Sequence, residues 1–178
     1  MTHLDRYAVY FVLDVESVGL HGEGFAVGYV VVDSQGSELA SGRFACGPEH
    51  ASGTDEDRAW IEANVPPIPA THDTPAEVRE RFWEAWATWK KLGAVMVADC
   101  GWPVEARFLA ACVDDYPAAR TWEGPYPLHD LASVALVVGD DPLAERHRRP
   151  NELPAHDPLA DARQSARLLL EMLARGPE

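Results

Sequence analysis

The chain has 178 residues, 47% hydrophobic and 25% charged, with three cysteines and a formal net charge of −14. That length suits one domain with a sizeable core, expected here over residues 1–178. The charge argues against a protein that spreads long nucleic acid over a basic surface, because an acidic surface repels phosphates at long range; a short strand end needs far fewer phosphate contacts.

"YAVYFVLD" (7–14) is rich in β-branched and aromatic residues and reads as a central strand. "GFAVGYVVVD" (24–33) reads as a second strand, "SQG" as a turn, and "SELASGRFAC" as a third strand returning. Together they predict an antiparallel meander. "DEDRAWIEA" suggests a short helix, and "VPPIPATHDTP" is a proline-rich connector held in extended geometry. "TPAEVRERFWEAWATWKKLG" is the clearest helix: Thr74 caps it, Pro75 starts it, Glu77 completes a capping box, and Gly93 stops it. Val78, Phe82, Ala85 or Trp86, and Trp89 give it one apolar face. "AVMVAD" is a buried strand, "PVEARFLAACV" a helix, "YPLHDLASVALVVG" a strand edge followed by a helix, and a last helix runs from Pro158 to about Leu173. Strands first, then strands alternating with helices, predict an α/β domain with a mixed sheet.

No apolar run approaches the roughly 20 residues of a membrane helix. The opening stretch, with Asp5 ahead of a short apolar run, does not read as a secretion signal. Cys46, Cys100 and Cys112 form neither a zinc ligand set nor a disulfide framework. A reducing, cytoplasmic setting with no membrane partner is therefore expected.

Asp14 and Glu16 sit two apart at the end of the first strand, so their side chains point the same way. Two carboxylates crowded at a core strand's end call for a cation or a retained proton; the alternative for this pair alone is that the strand simply ends in solvent there, with two polar residues in a loop. Near the other end of the chain, "HDPLAD" places His156 before a helix that Asp157 caps and Pro158 begins, with Asp161 in its first turn. Oxygen ligands select hard cations such as Mg²⁺ or Mn²⁺. Two such ions about 3.5–4 Å apart can clamp both oxygens of a phosphodiester displacement. An imidazole with an ordinary pKa of about 6.5 can take a proton from the attacking water.

"FVLDVESVGL" resembles the first motif of the DEDDh-type 3′–5′ exonucleases, and "HDPLADARQSARLLL" resembles their third. That family belongs to the ribonuclease H-like superfamily and includes proofreading exonucleases, ribonuclease T and oligoribonuclease. The resemblance implies a five-stranded mixed sheet, three strands antiparallel and two parallel, with helices on both faces. It further implies that Asp14, Glu16 and Asp161 hold one Mg²⁺ or Mn²⁺, that Asp14 bridges to a second, and that His156 is the general base. Val15, Ser17 and Gly19 would lie near the terminal nucleotide. The middle motif departs from the family: Glu105, in "PVEARFL", stands where an aspartate is usual, and Asp99 at the preceding strand end is the other candidate. The departure bears on the second ion more than on the first.

Trp102 is a candidate base-stacking residue on a loop. "ERHRRPNE" (145–152) is a basic island in which Arg148 and Arg149 would either grip a phosphate, close as a lid, or form a solvated loop. His3, His21, His50, His72, His129 and His147 show no ligand spacing and are expected on the surface. Trp83, Trp86 and Trp89 are expected in the core or at an interface; their exposure would suggest a homodimer. The expected activity is release of nucleoside 5′-monophosphates from the 3′ ends of single-stranded or short RNA or DNA. The rivals are a binding module that keeps the fold without efficient chemistry, and a metal-dependent phosphatase or nucleotide hydrolase.

Overall fold

The computed structural model describes residues 9–175. His3, and Tyr7 and Ala8 of the expected first strand, lie outside them. Five strands form one mixed sheet: β1 (Val9–Ser17), β2 (Gly24–Asp33), β3 (Glu38–Ala45), β4 (Val95–Ala98) and β5 (His129–Asp130), in the order β3-β2-β1-β4-β5. The first three run antiparallel as a meander; β4 and β5 add in parallel to β1. The helices are α1 (Asp55–Asn64), α2 (Pro75–Lys91), α3 (Ala106–Asp114), α4 (Pro117–Arg120), α5 (Leu131–Val137) and α6 (Pro158–Arg175). The protein is thus α/β, with helices packed on both faces of the sheet.

The two-residue period of β1 divides the core. Phe11, Leu13 and Val15 point to one face, where they meet Val27, Phe82, Trp86 and Phe108. Phe11 stacks on Tyr29 at 4.7 Å and meets Phe82 and Trp86 edge-on at 5.8 and 5.6 Å. Tyr10 and Val12 point to the other face, beneath Leu131 and Ala135 of α5 and Ala162, Ala166, Leu169 and Met172 of α6. Each large apolar side chain so buried contributes roughly 1.5–3 kcal/mol. Asp14 and Glu16 continue the Tyr10–Val12 series, and so rise on the face that α6 covers.

Helix α2 begins as its sequence predicts: the Thr74 side chain accepts the Glu77 N–H, and Glu77 accepts the Thr74 N–H at 3.1 Å. Its apolar face buries Val78, Phe82, Trp83 and Trp86, with Trp89 packed at the edge. The tryptophans of α2 therefore serve the core. The middle helix covers the stretch from Pro103 that the sequence predicts, entered through a turn of wider helix. A wide turn over Gly101–Glu105 precedes α3, with Trp102 extended at φ −136° and ψ 137°. The cause is local: Pro103 pushes the residue before it out of helical geometry. Among the described residues, no helix is long and apolar enough to cross a membrane.

Candidate metal centre

Helix α6 is seated on the sheet by a missing side chain. Gly28 pairs with Asp14 across the β1–β2 ladder. A Cβ at Gly28 would lie 2.2 Å from the Leu159 nitrogen and the Pro158 carbonyl carbon. Only glycine lets the first turn of α6 lie this close to the strands, and that contact carries Asp161 to the carboxylates of β1. Asp157 caps the helix as expected, its Oδ1 accepting the Leu159 and Ala160 N–H groups at 3.1 Å. Its other oxygen pairs with Arg43 of β3.

His156 has φ 62°, a left-handed conformation that histidine tolerates better than most side chains do. This turn aims its backbone N–H at Asp161 Oδ2, 3.1 Å away, and brings its ring Nδ1 to 3.7 Å from Glu16 Oε1. One ligand atom each from Glu16, His156 and Asp161 lie within 4.8 Å of one another. The imidazole side chain is 45% exposed, whereas that of Glu16 is 12% exposed. A proton can therefore leave His156 to solvent while the carboxylate beside it stays enclosed.

Asp14, on the same face of β1 as Glu16, is not one of those three ligands but is coupled to Glu16 and Asp161 through charge. Burial, and then the charges of Asp161, Glu16, Glu105 and Asp99, hold its pKa well above the ordinary carboxylate range. Burial, Asp161, Glu105 and Asp157 push Glu16 up to about 8. Glu105, at the head of α3, is raised to about 7 by burial and by Asp99 and Asp130, against a backbone hydrogen bond from Val15. Asp161 is raised by burial, opposed by its hydrogen bond and ion pair with Arg148. Asp99 is raised chiefly by the surrounding protein, while the Ser165 hydroxyl pulls it back. Glu105 is the better placed of the two middle carboxylates: it is buried and its charge is felt by both Asp14 and Glu16, whereas that of Asp99 is felt by Asp14, and less strongly. Oxygen donors that suppress one another's ionisation are what a hard divalent cation relieves. The donor set fits Mg²⁺ or Mn²⁺.

The remaining predicted residues divide. Val15 is buried in the core, so only its backbone faces the cluster, through Glu105. Ser17 donates to the Gly19 carbonyl at 2.8 Å, and Gly19, at φ 76°, abuts Asp57 of α1. Trp102 is 70% exposed in the turn before Glu105. The arginines of the basic island are paired with carboxylates outside it. Arg148 turns inward onto Asp161 at 2.5 Å, and Arg149 reaches Glu171 at 3.1 Å. Glu171 lies ten residues along α6 from Asp161, about 15 Å at the helical rise, so Arg149 is not at the cluster. Half-buried His129 forms β5 and His72 packs on Phe44; His21, His50 and His147 are exposed as expected.

Two neighbours escaped the sequence. The Trp60 ring meets His156 edge-on at 5.7 Å and is 52% exposed; nothing near it in the chain marks it, because the contact is tertiary. Asp130, at the end of β5, adds charge felt by Asp99 and Glu105. Its position at a strand end, like that of Asp14 and Asp99, was the available signal.

A scan against protein-family models returns no match for this chain, and neither does a search of curated proteins.

Proposed function

We propose that the protein is a divalent-metal-dependent 3′–5′ exonuclease of ribonuclease H-like fold, acting on single-stranded or short nucleic acid. The observation that carries this reading is the meeting of Glu16 from β1 with His156 and Asp161 at the start of α6, with Asp14 two residues before Glu16 feeling the charges of both acids. The strand order and the helices on both faces support the fold. Asp14, Glu16 and Asp161 would hold one Mg²⁺ or Mn²⁺, and Asp14 with Glu105 a second. When bound, the ions would supply electrophilic stabilisation of charge on the phosphate and on the leaving 3′-oxygen.

The rest falls to the chain. His156 accepts the proton of the attacking water and passes it to solvent through its exposed edge. Glu16 Oε1 faces the ring Nδ1 at 3.7 Å and lies beside the base. The Trp60 ring restricts the imidazole's rotation and offers an exposed indole face for a terminal base. The acidic surface disfavours long duplex and leaves strand ends as substrates.

The test is digestion of labelled short RNA, single-stranded DNA and duplex with Mg²⁺ or Mn²⁺. Stepwise shortening from the 3′ end, with nucleoside 5′-monophosphates released, is the expected result. Binding without shortening, or release of inorganic phosphate alone, would overturn it.

A further inference from the structure

The carboxylate cluster already holds one cation, Arg148. Its Nη1 lies 2.5 Å from Asp161 Oδ1 and 3.0 Å from the Glu152 carbonyl oxygen. The second Asp161 oxygen accepts the His156 N–H. Both oxygens of a proposed metal ligand are therefore engaged by the protein itself. A divalent ion and a guanidinium cannot share Oδ1 without setting two positive charges side by side.

The backbone around Arg148 is fixed to the helix that bears Asp161. Arg167 of α6 donates to the His147 carbonyl at 2.9 Å, and Gln164 donates to the Arg146 carbonyl at 3.3 Å. Arg167 also holds buried Glu152 through hydrogen bonds of 2.6 and 2.9 Å. Those ties leave the Arg148 side chain as the part that can move. Beside it lies a cavity of about 750 Å³, lined by Arg148, Asp99, Arg146, Leu131, Gln164 and Leu168. The guanidinium has room to withdraw without disturbing the backbone.

We infer that Arg148 is a tethered stand-in for the divalent ion: it neutralises Asp161 when the site is metal-free and is expelled when the metal binds. This rests on the reading of the cluster as a metal site. Arg148 is thus a positioning residue that competes with the metal and sets how much is needed to fill the site. Its contact with Asp161 belongs to the metal-free state alone.

The experiment compares wild type, Arg148→Met and Arg149→Met by calorimetric Mn²⁺ titration and by thermal melting with and without saturating Mn²⁺. Arg148→Met should bind Mn²⁺ about tenfold more tightly, the low end for removing a partly screened charge-assisted hydrogen bond. Without Mn²⁺ it should melt below wild type, and with saturating Mn²⁺ that deficit should vanish. Arg149→Met removes the same charge away from the cluster and should leave Mn²⁺ affinity within about twofold. The inference is overturned by unchanged or weaker Mn²⁺ binding in Arg148→Met, by a melting deficit that persists in Mn²⁺, or by an equal gain in Arg149→Met. If no protein of the set binds Mn²⁺ at millimolar concentration, the metal-site reading falls as well.

Discussion

Substituting Gly28 by alanine tests whether the seat of α6 makes the site. The added Cβ would stand 2.2 Å from the backbone of Pro158 and Leu159, and ordinary contact begins near 3.4 Å. The first turn of α6 must therefore retreat by about 1.2 Å, since a backbone atom cannot rotate aside as a side chain can. Overpacking of this kind costs about 1–3 kcal/mol, which the rest of the core can absorb. Asp161, in that same turn, would move away from Asp14 by a comparable amount. A displacement near 1 Å at a reacting centre lowers rates by about 100-fold. The assay is cleavage of a labelled short oligonucleotide in Mn²⁺, with Mn²⁺ affinity and a melting curve measured on the same preparation. A folded Gly28→Ala protein with wild-type cleavage and Mn²⁺ affinity would refute the placement of Asp161 by this contact.

Asp14→Ala should reduce cleavage to background and weaken Mn²⁺ binding while the metal-free protein melts no lower than wild type, because a buried acid crowded by other carboxyl groups has been removed; circular dichroism and a titration check this. His156→Ala should lower the rate by about 10²–10⁴-fold with Mn²⁺ affinity largely kept, and a loss of Mn²⁺ binding instead would assign the imidazole to the metal. The pH dependence has a definite sign. Glu16 and Glu105 are raised from 4.5 to about 8 and about 7, so the native state keeps protons that the unfolded chain has released. Their contribution to metal-free stability therefore declines as pH climbs from about 4.5 to 8 and then levels off. Saturating Mg²⁺ should flatten the decline, and a metal-free melting temperature that rises between about pH 6 and 8 would contradict it.

The parts of the fold that could be read from the chain are those with local causes. The meander follows from apolar strands and a short turn, α2 from its Thr74–Glu77 capping box, and the start of α6 from Asp157 and Pro158. The alternation that sets Asp14 and Glu16 on one face was equally legible, because it needs only the period of a strand. What could not be read depends on where side chains end in space. Arg148 and Arg149 are adjacent in a basic run, yet one turns onto Asp161 and the other onto Glu171. Trp60 meets His156 across the fold. Gly28 lies between: a glycine inside an apolar strand signals a close backbone approach, but not which helix makes it.

The cluster joins one of the earliest segments of the chain to one of the latest, β1 and α6. During synthesis the carboxylates of β1 emerge well before Asp161 can join them. A chain halted ahead of α6 would carry Asp14 and Glu16 without the partners needed to complete the centre. The centre would thus be complete only once α6 has been made and has docked on the sheet.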